Sequence, residues 1–579
     1  MFGTNRKPGR LAAWDGRTRS SRCDNLDWRT FFTRYALARV AVVAATCVVL
    51  ASIVAGPSLP FRYRHGQSFT RDLRARVPFD VIDEAATINA REKSDEAADA
   101  AGVDRPHVPA VVHRFPAGSV LVRRDKPVSL DELSLLHAEH RAYANSLSPQ
   151  RKWGRPLAIL AVIAVLGSTV AAYSVRFQPA LVGSLKKIAG VCVLLVGTVW
   201  LAVALDAAPW YAAALPLAIT AMTLTIAYNP PFALFMCVCL SLMAALSRGH
   251  DISPLLIHLG GLTTAVLGVR EVRTRTRPVE VGILCGLAFA VMTLAADTLT
   301  GQSAKFTLVD AGKNCLAGIL AGFVLTGCLP LVERCFGVVT DASLLELSDS
   351  SHPLLQELLR RAPGTYTHSM TVATLAEAAA EAIGANPLLT RVGCYYHDIG
   401  KLLKPHYFIE NQSGPNAHDQ LEPTLSTLVI VGHVKDGVAL GEQYKLPLPV
   451  VDFIRQHHGT TLVEYFYREA CRLQAGVVSA DVLEPGFRYP GPKPQSREAG
   501  IMMLADAAES ASRSLRSPTP AAVRKLVHDL TMKRLLDGQF DESGLTLTEL
   551  RAIEDAIVKG LTAVYHVRVA YPDVPKKAA

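Results

Sequence analysis

The sequence predicts a mostly α protein: a polytopic helical membrane bundle, an all-α soluble unit after it, and a small α+β extracytoplasmic domain before it. Three observations carry that prediction. Of 579 residues, 50% are hydrophobic and only 19% are charged, with mean hydropathy +0.23, against about 25% charge in soluble domains. The apolar residues fall in runs near twenty long, the length that spans a bilayer. The last two hundred residues return to soluble composition with helical periodicity and little alternation.

The elements follow in order. Residues 1–35 are polar and basic. The apolar run 36–56 reads as an uncleaved membrane anchor, preferred over a cleavable signal peptide because its basic lead is long. Residues 57–154 form the small domain. Asp83–Ala101 reads as a helix and Ala117–Val122 as a short strand, and Ser129 with Glu132 forms a capping box for the next helix. The seven runs 156–175, 187–205, 209–228, 231–248, 252–269, 279–299 and 311–332 make a seven-span domain over 155–335. With the anchor, eight spans are expected. Residues 336–363 are a linker, 364–572 the soluble unit and 573–579 a tail.

Charge sets the expected topology. Lys plus Arg exceeds Asp plus Glu by 60 − 51 = 9. In a membrane protein such an excess marks cytoplasmic loops, so no DNA partner is inferred. Arg176, Lys186, Lys187, Arg270, Arg273, Arg275 and Arg277 fall in loops on the side of the N-terminus. Asp206, Arg248, Asp251, Lys305 and Lys313 fall on the other, so the bias is real without being complete. The expected localisation is the inner cell membrane, multi-pass, with the N-terminus and soluble unit cytoplasmic. Gly260-Gly261 and Cys237/Cys239 are read as packing residues. No Cys lies between Ala51 and Gln150, which excludes a disulfide framework there.

The chemistry lies in 364–510. Val372, Leu375, Ala376, Ala379 and Ile383 make a helical stripe, with His368 in its expected first turn. A second helix, capped at Asn386-Pro387, ends in His397-Asp398-Ile399-Gly400-Lys401. His433, the pair His457-His458 and Asp506 follow on later helices. Imidazole with carboxylate suits transition metals such as iron or manganese, and a carboxylate next to an imidazole can bridge two ions. The ordered set, not any single His, is the signal. Lys401 reads equally as a phosphate partner or as a Lys favoured at a helix C-terminus. Tyr395-Tyr396 and Tyr465-Phe466-Tyr467 read mainly as core, with base stacking as the sharper reading.

These residues resemble the HD phosphohydrolase superfamily. They are most similar to its seven-transmembrane HD (HDIG) branch, membrane proteins that hydrolyse cyclic di-AMP. The resemblance runs through Ala362–Tyr366, Tyr395–Lys401, Ile409–Gln412, His457–Thr461, Tyr465–Tyr467, Asp537–Gln539 and Tyr565–Arg568. Pro78-Phe79-Asp80 and Gly118–Arg123 extend it to the small domain, whose middle is shorter than the family's. The resemblance implies two divalent metal ions, Mn or Fe. His368, His397, Asp398 and Asp506 would hold one. Asp398 would bridge to a second, held by His433 and one of His457 and His458. It also implies a catalytic role for His397, Asp398 and Lys401, substrate contacts from Lys401, His458 and Tyr465, and a linear 5′-phosphorylated product. A homodimer and an unknown extracellular signal or ligand join the cyclic dinucleotide and the lipid bilayer as expected partners. The competing readings are an HD hydrolase of cyclic di-GMP or a mononucleotide, and a receptor or transporter that only binds nucleotide. The Gly-Tyr-Pro marker of the cyclic di-GMP branch is absent after His458.

Overall fold

The structure, a computed structural model, describes residues 34–56, 59–101, 107–207, 212–249, 252–269, 274–474, 484–515 and 518–565. The basic N-terminus, Arg270, Arg273, His566-Val567-Arg568 and the tail fall outside them.

Eight apolar helices form the bundle: α1 Arg34–Ala55, α4 Pro149–Phe177, α6 Leu185–Ala207, α7 Ala214–Ala227, α8 Pro230–Ser247, α9 Ser253–Gly268, α10 Arg277–Leu299 and α11 Ala304–Phe336. A single turn, α5 Pro179–Val182, precedes α6. Six of the eight are long and apolar enough to cross a membrane. The other two, α7 with 14 residues and α9 with 16, reach only about 21 and 24 Å at 1.5 Å per residue. Both are packed inside the bundle, where Leu217, Ala218, Ala221, Leu262, Ala265 and Val266 are fully buried. A helix surrounded by protein need not match the hydrocarbon thickness.

Side-chain contacts assign the helix ends to two faces. On one face Arg155 donates to Ala55 O at 2.6 Å and Leu246 O at 3.4 Å, Arg248 pairs with Asp206, and Arg64 pairs with Asp310 at 3.1 Å. On the other, Arg39 donates to Gly183 O at 3.0 Å, Arg277 donates to Gly268 O at 3.2 Å, and Tyr228 packs edge-on against Phe336. All eight helices therefore run alternately between the faces. The closest packing is between α10 and α11. A Cβ on Gly282 or Gly286 would strike the backbone of α11 at Gly318–Gly322 or Cys315, and the reverse holds for Gly318 and Gly322. Small residues spaced by four let helix backbones meet.

The small domain sits on the first face. It holds two antiparallel ribbons, β1 Leu73–Arg74 with β4 Val120–Val122 and β2 Phe79–Ile82 with β3 Val112–Phe115. Phe79 pairs with Phe115 and Ile82 with Val112. Helix α2 Glu84–Ala101 is capped by Asp83, which accepts from Ala86 N at 2.8 Å. Helix α3 Leu130–Ser146 carries the Ser129–Glu132 capping box. Ser68 N donates to Gln302 Oε1 at 3.0 Å and Gln302 Nε2 returns a bond to Ser68 O, joining the domain to the α10–α11 turn. The sequence suggested one strand here, over Ala117–Val122; four short ones form, because strands of two to four residues leave almost no alternating signature.

The linker contains a helix that sequence reading missed, α12 Asp341–Leu347, before α13 Pro353–Arg361. Glu333, on α11, accepts from Thr340 N, Thr340 Oγ1 and Ser343 Oγ at 2.6–2.9 Å. The soluble unit follows as α14 Pro363–Ile383, α15 Pro387–Tyr396, α16 Pro423–Gln443, α17 Leu448–Gln456, α18 Glu464–Gln474, α19 Arg497–Ser512, α20 Pro520–Leu536 and α21 Leu547–Tyr565. Leu344, Leu354, Leu355, Leu358, Val392, Tyr396, Ile399 and Leu402 form one core and the α14–α19–α21 contacts another.

A candidate dinuclear metal centre

Each candidate ligand comes from a different turn of this helical unit. His368 lies in the second turn of α14, which begins at Pro363, and not in the first turn as expected. His397 and Asp398 end α15, where the chain tightens into a 3-10 turn over Ile399–Leu403. Gly400 permits that turn, since a Cβ there would overlap His433 O and crowd Gly437 N on α16. His457 and His458 end α17, and Asp506 sits mid-α19. Gln539 fixes the turn after the His pair: Thr460 N donates to Gln539 Oε1 at 3.0 Å and Gln539 Nε2 to Thr460 Oγ1 at 2.9 Å.

The structure brings all seven together. Asp398 Oδ2 lies 3.2 Å from His397 Nε2 and 3.6 Å from His368 Nε2. Its other oxygen, Oδ1, lies 3.4 Å from His433 Nε2 and 3.7 Å from His457 Nε2. Asp506 reaches His368 Nε2 at 3.1 Å and His458 Nδ1 at 3.8 Å. His368, His397 and Asp398 form one group able to hold an ion; His433, His457 and His458 form another.

The hydrogen bonds fix which nitrogens are free. Nδ1 of His397, His433 and His457 faces the carbonyls of Cys394, Ile430 and Ile454 at 2.7, 2.5 and 2.9 Å. A carbonyl only accepts, so each Nδ1 carries a hydrogen, which in a neutral imidazole leaves the lone pair on Nε2. The Nε2 atoms of His433 and His457 then face each other at 3.1 Å with a lone pair each. His397 Nε2 and Asp398 Oδ1 are buried without a hydrogen-bond partner. Buried polar atoms are normally paired, and a cation in each group satisfies all of these. Burial holds His433 and His458 below the usual imidazole range and His457 down to about 3, which keeps them in the neutral form a metal takes. Burial also works against His368, but its bonds to Asp506 and Glu509 outweigh it and lift that imidazole to about 10.

Three residues that sequence reading missed complete the site. Glu509 accepts from His368 Nδ1 at 2.6 Å and is itself held by Arg513. An acidic residue one turn after Asp506 in an apolar helix was the available signal. Tyr489 stacks on His458 with ring centroids 4.3 Å apart; Tyr489-Pro490-Gly491 is distant in sequence from the His pair, yet packs against it. Arg534 lies within electrostatic reach of Asp506 and Tyr489.

Two expected contacts take other forms. Lys401 is buried between Asp398 Oδ2 at 2.7 Å and Glu410 Oε1 at 2.8 Å, so its ammonium orients the bridging carboxylate instead of facing open space. Tyr465 is 70% exposed on α18, its ring against Phe466 and away from the cluster. Tyr396 is core, its hydroxyl donating to Leu347 O at 2.7 Å. Glu410 and Asn411 bind Thr365 at 2.8–3.2 Å, which ties the Glu-Asn-Gln segment to the start of α14.

A family profile described as "7TM receptor with intracellular HD hydrolase" matches residues 153–340, and the HD domain profile matches residues 365–511. The chain thus carries, in order, a match to each of the two parts of this membrane HD family. It is a multi-pass membrane protein whose HD domain supplies a divalent-metal site. It is 39% identical over 364 residues to the cyclic-di-AMP phosphodiesterase PgpH of Listeria monocytogenes, covering 62% of this chain and 50% of that one. It is 37% identical over 373 residues to PgpH of Bacillus subtilis, covering 62% and 52%. The chain thus spans about half the length of these curated relatives. Crystal structures of the L. monocytogenes PgpH HD domain, one of them in complex with cyclic di-AMP, are 47% identical. They match 37% and 38% of this chain and all of theirs, with TM-scores of 0.35 and 0.36.

Proposed function

We propose that this protein is a membrane-bound, metal-dependent phosphodiesterase that opens cyclic di-AMP to the linear 5′-phosphorylated dinucleotide. One observation carries the reading: Asp398 turns one oxygen toward each of two imidazole sets. The activity named for the curated relatives supports the choice of substrate. Two divalent ions, manganese or iron by donor type, would be held by His368, His397, Asp398 and Asp506 on one side and Asp398, His433, His457 and His458 on the other; when bound they activate water and neutralise phosphoryl oxygens.

The chain's own residues do the rest. Asp398 sets the relation between the two groups, and Lys401 with Glu410 holds its orientation. Glu509 orients His368. His458 is the most solvent-accessible of the six buried-site ligands His368, His397, Asp398, His433, His457 and His458, with 24% of its side chain exposed, so the phosphate approaches from its side. Base choice would follow from unpaired polar groups, at about 1–3 kcal/mol each for a mismatched guanine.

The reading puts the HD domain and N-terminus in the cytoplasm and the small domain outside the inner membrane. The face with Arg39, Lys186, Lys187, Arg275 and Arg277 supports it. Reporters fused after Pro127 and after Glu346 should read on opposite sides, and a shared side would overturn this orientation. For activity, full-length protein in detergent with Mn²⁺ is given cyclic di-AMP, cyclic di-GMP, linear dinucleotides and mononucleotides, with products separated by chromatography. The highest kcat/KM is expected for cyclic di-AMP. An equal or higher value for cyclic di-GMP would remove the substrate assignment. No phosphoester cleavage by metal-loaded protein would remove the enzyme.

A further inference from the structure

A cyclic dinucleotide carries two phosphates, and the dinuclear centre accounts for one. We infer that Arg534 binds the other, as the anion-binding arm at the mouth of the site. This rests on the cyclic-dinucleotide reading above.

Arg534 occupies the last turn of α20. Its carbonyl accepts from Gln539 N at 3.0 Å, and the Gln539 side chain grips Thr460, two residues beyond His458. The end of α20 is thereby fastened to the edge of the metal cluster. The Arg534 side chain lies within electrostatic reach of Asp506, Asp537, Tyr489 and Glu464, which places it near the His458–Tyr489 stack.

Its neighbours make the choice by elimination. Lys401 is held by Asp398 and Glu410, Arg488 by Glu484 and Asp537, Lys493 by Asp541, Arg513 by Glu509, and Lys533 by Glu464. Arg534 has no carboxylate within ion-pair distance among the described residues, and its Nε is buried with no hydrogen-bond partner. A largely desolvated guanidinium without an anion is costly. Its planar fork matches a phosphate bidentately, which an ammonium cannot do.

The test compares two substrates on the full-length, Mn²⁺-loaded protein: cyclic di-AMP, with two phosphates, and bis(p-nitrophenyl) phosphate, with one. Arg534→Gln and Arg534→Lys are measured beside the wild type, with metal content and thermal unfolding for each. Arg534→Gln should raise KM for cyclic di-AMP about tenfold to a hundredfold, and at least tenfold more than it changes the one-phosphate diester. Arg534→Lys should recover part of the loss. Equal losses on both substrates, or a loss that tracks metal content or unfolding, would overturn the inference by showing a structural role. Variants like wild type on cyclic di-AMP would overturn it alone. A wild type that neither binds nor cleaves cyclic di-AMP would overturn it together with the reading it rests on.

Discussion

The membrane bundle and the HD domain bury polar atoms in opposite ways. Inside the bundle, buried side chains meet in neutral pairs, while the ion pairs Arg248–Asp206 and Arg64–Asp310 sit at one face. Thr198 and Thr220 share a hydroxyl contact of 2.5 Å, and Asn314 donates to Thr293 Oγ1 at 3.0 Å. Shape does most of the specifying, through glycines that let α10 and α11 touch. The HD domain buries charge in quantity: Asp398, Lys401, Glu410, Asp506 and Glu509 around five imidazoles. Hydrogen bonds do not complete that network; cations do. One half is specified by volume and the other by charge that needs a guest.

The strongest way to break this contrast is Asp398→Asn. It keeps the volume and removes the bridging charge. Hydrolysis should fall by about a thousandfold or more, with most bound metal lost by elemental analysis, while the unfolding of the bundle in detergent stays put. Retained metal and activity would end the dinuclear assignment.

Gly286→Leu is the converse, a change of volume without charge. Its side chain meets Cys315 O and Ile319 on α11. Overpacking costs about 1–3 kcal/mol or more, so the bundle should unfold at lower temperature, with metal stoichiometry in the HD domain preserved. Unchanged unfolding would show that the α10–α11 approach is looser than described.

Much of this was readable beforehand. The eight apolar runs became eight helices, because periodicity and hydrophobic length are local properties. The seven clustered residues were legible as an ordered set because each closes or interrupts a helix with an unusual residue for that place. What escaped depends on chain paths. Glu509 belongs to the site only because α19 lies against α14, and Tyr489 and Arg534 only because two distant segments fold onto the His457–Thr460 turn. Tyr465 went the other way: helical phase turned it outward, which a three-residue aromatic run does not reveal.

Glu509→Gln sharpens the comparison within the charged half. Gln can still accept from His368 but brings no charge. Metal affinity at the His368 side should drop about 10- to 100-fold, the range seen when a ligand's supporting carboxylate is changed, read by chelator competition. An unaltered affinity would make Glu509 a partner of Arg513 only.

The smallest effect is expected in the small domain, which carries one buried carboxylate among its described residues. Glu139 accepts from Arg76 N, Nε and Nη2 at 2.8–3.0 Å. Burial alone would raise its pKa, but the Arg76 bonds outweigh it and hold the carboxyl below the usual range. A depressed folded value stabilises above the ordinary Glu pKa near about 4.3, and that stability is lost as pH falls through the folded value. Wild type should therefore lose small-domain stability on acidification, by proteolysis of exposed linkers, and Glu139→Gln should flatten that dependence. The same acid slope in both would clear Glu139 of the role.

Gly400 has a consequence for the spacing of the site. It brings the backbone after Asp398 directly against the carbonyl of His433, so the bridge and one imidazole of the far set are joined main chain to main chain. The spacing of these two backbone segments is therefore a dimension of the fold itself, and only the side-chain torsions of Asp398 and His433 are left to adjust the reach of their donor atoms.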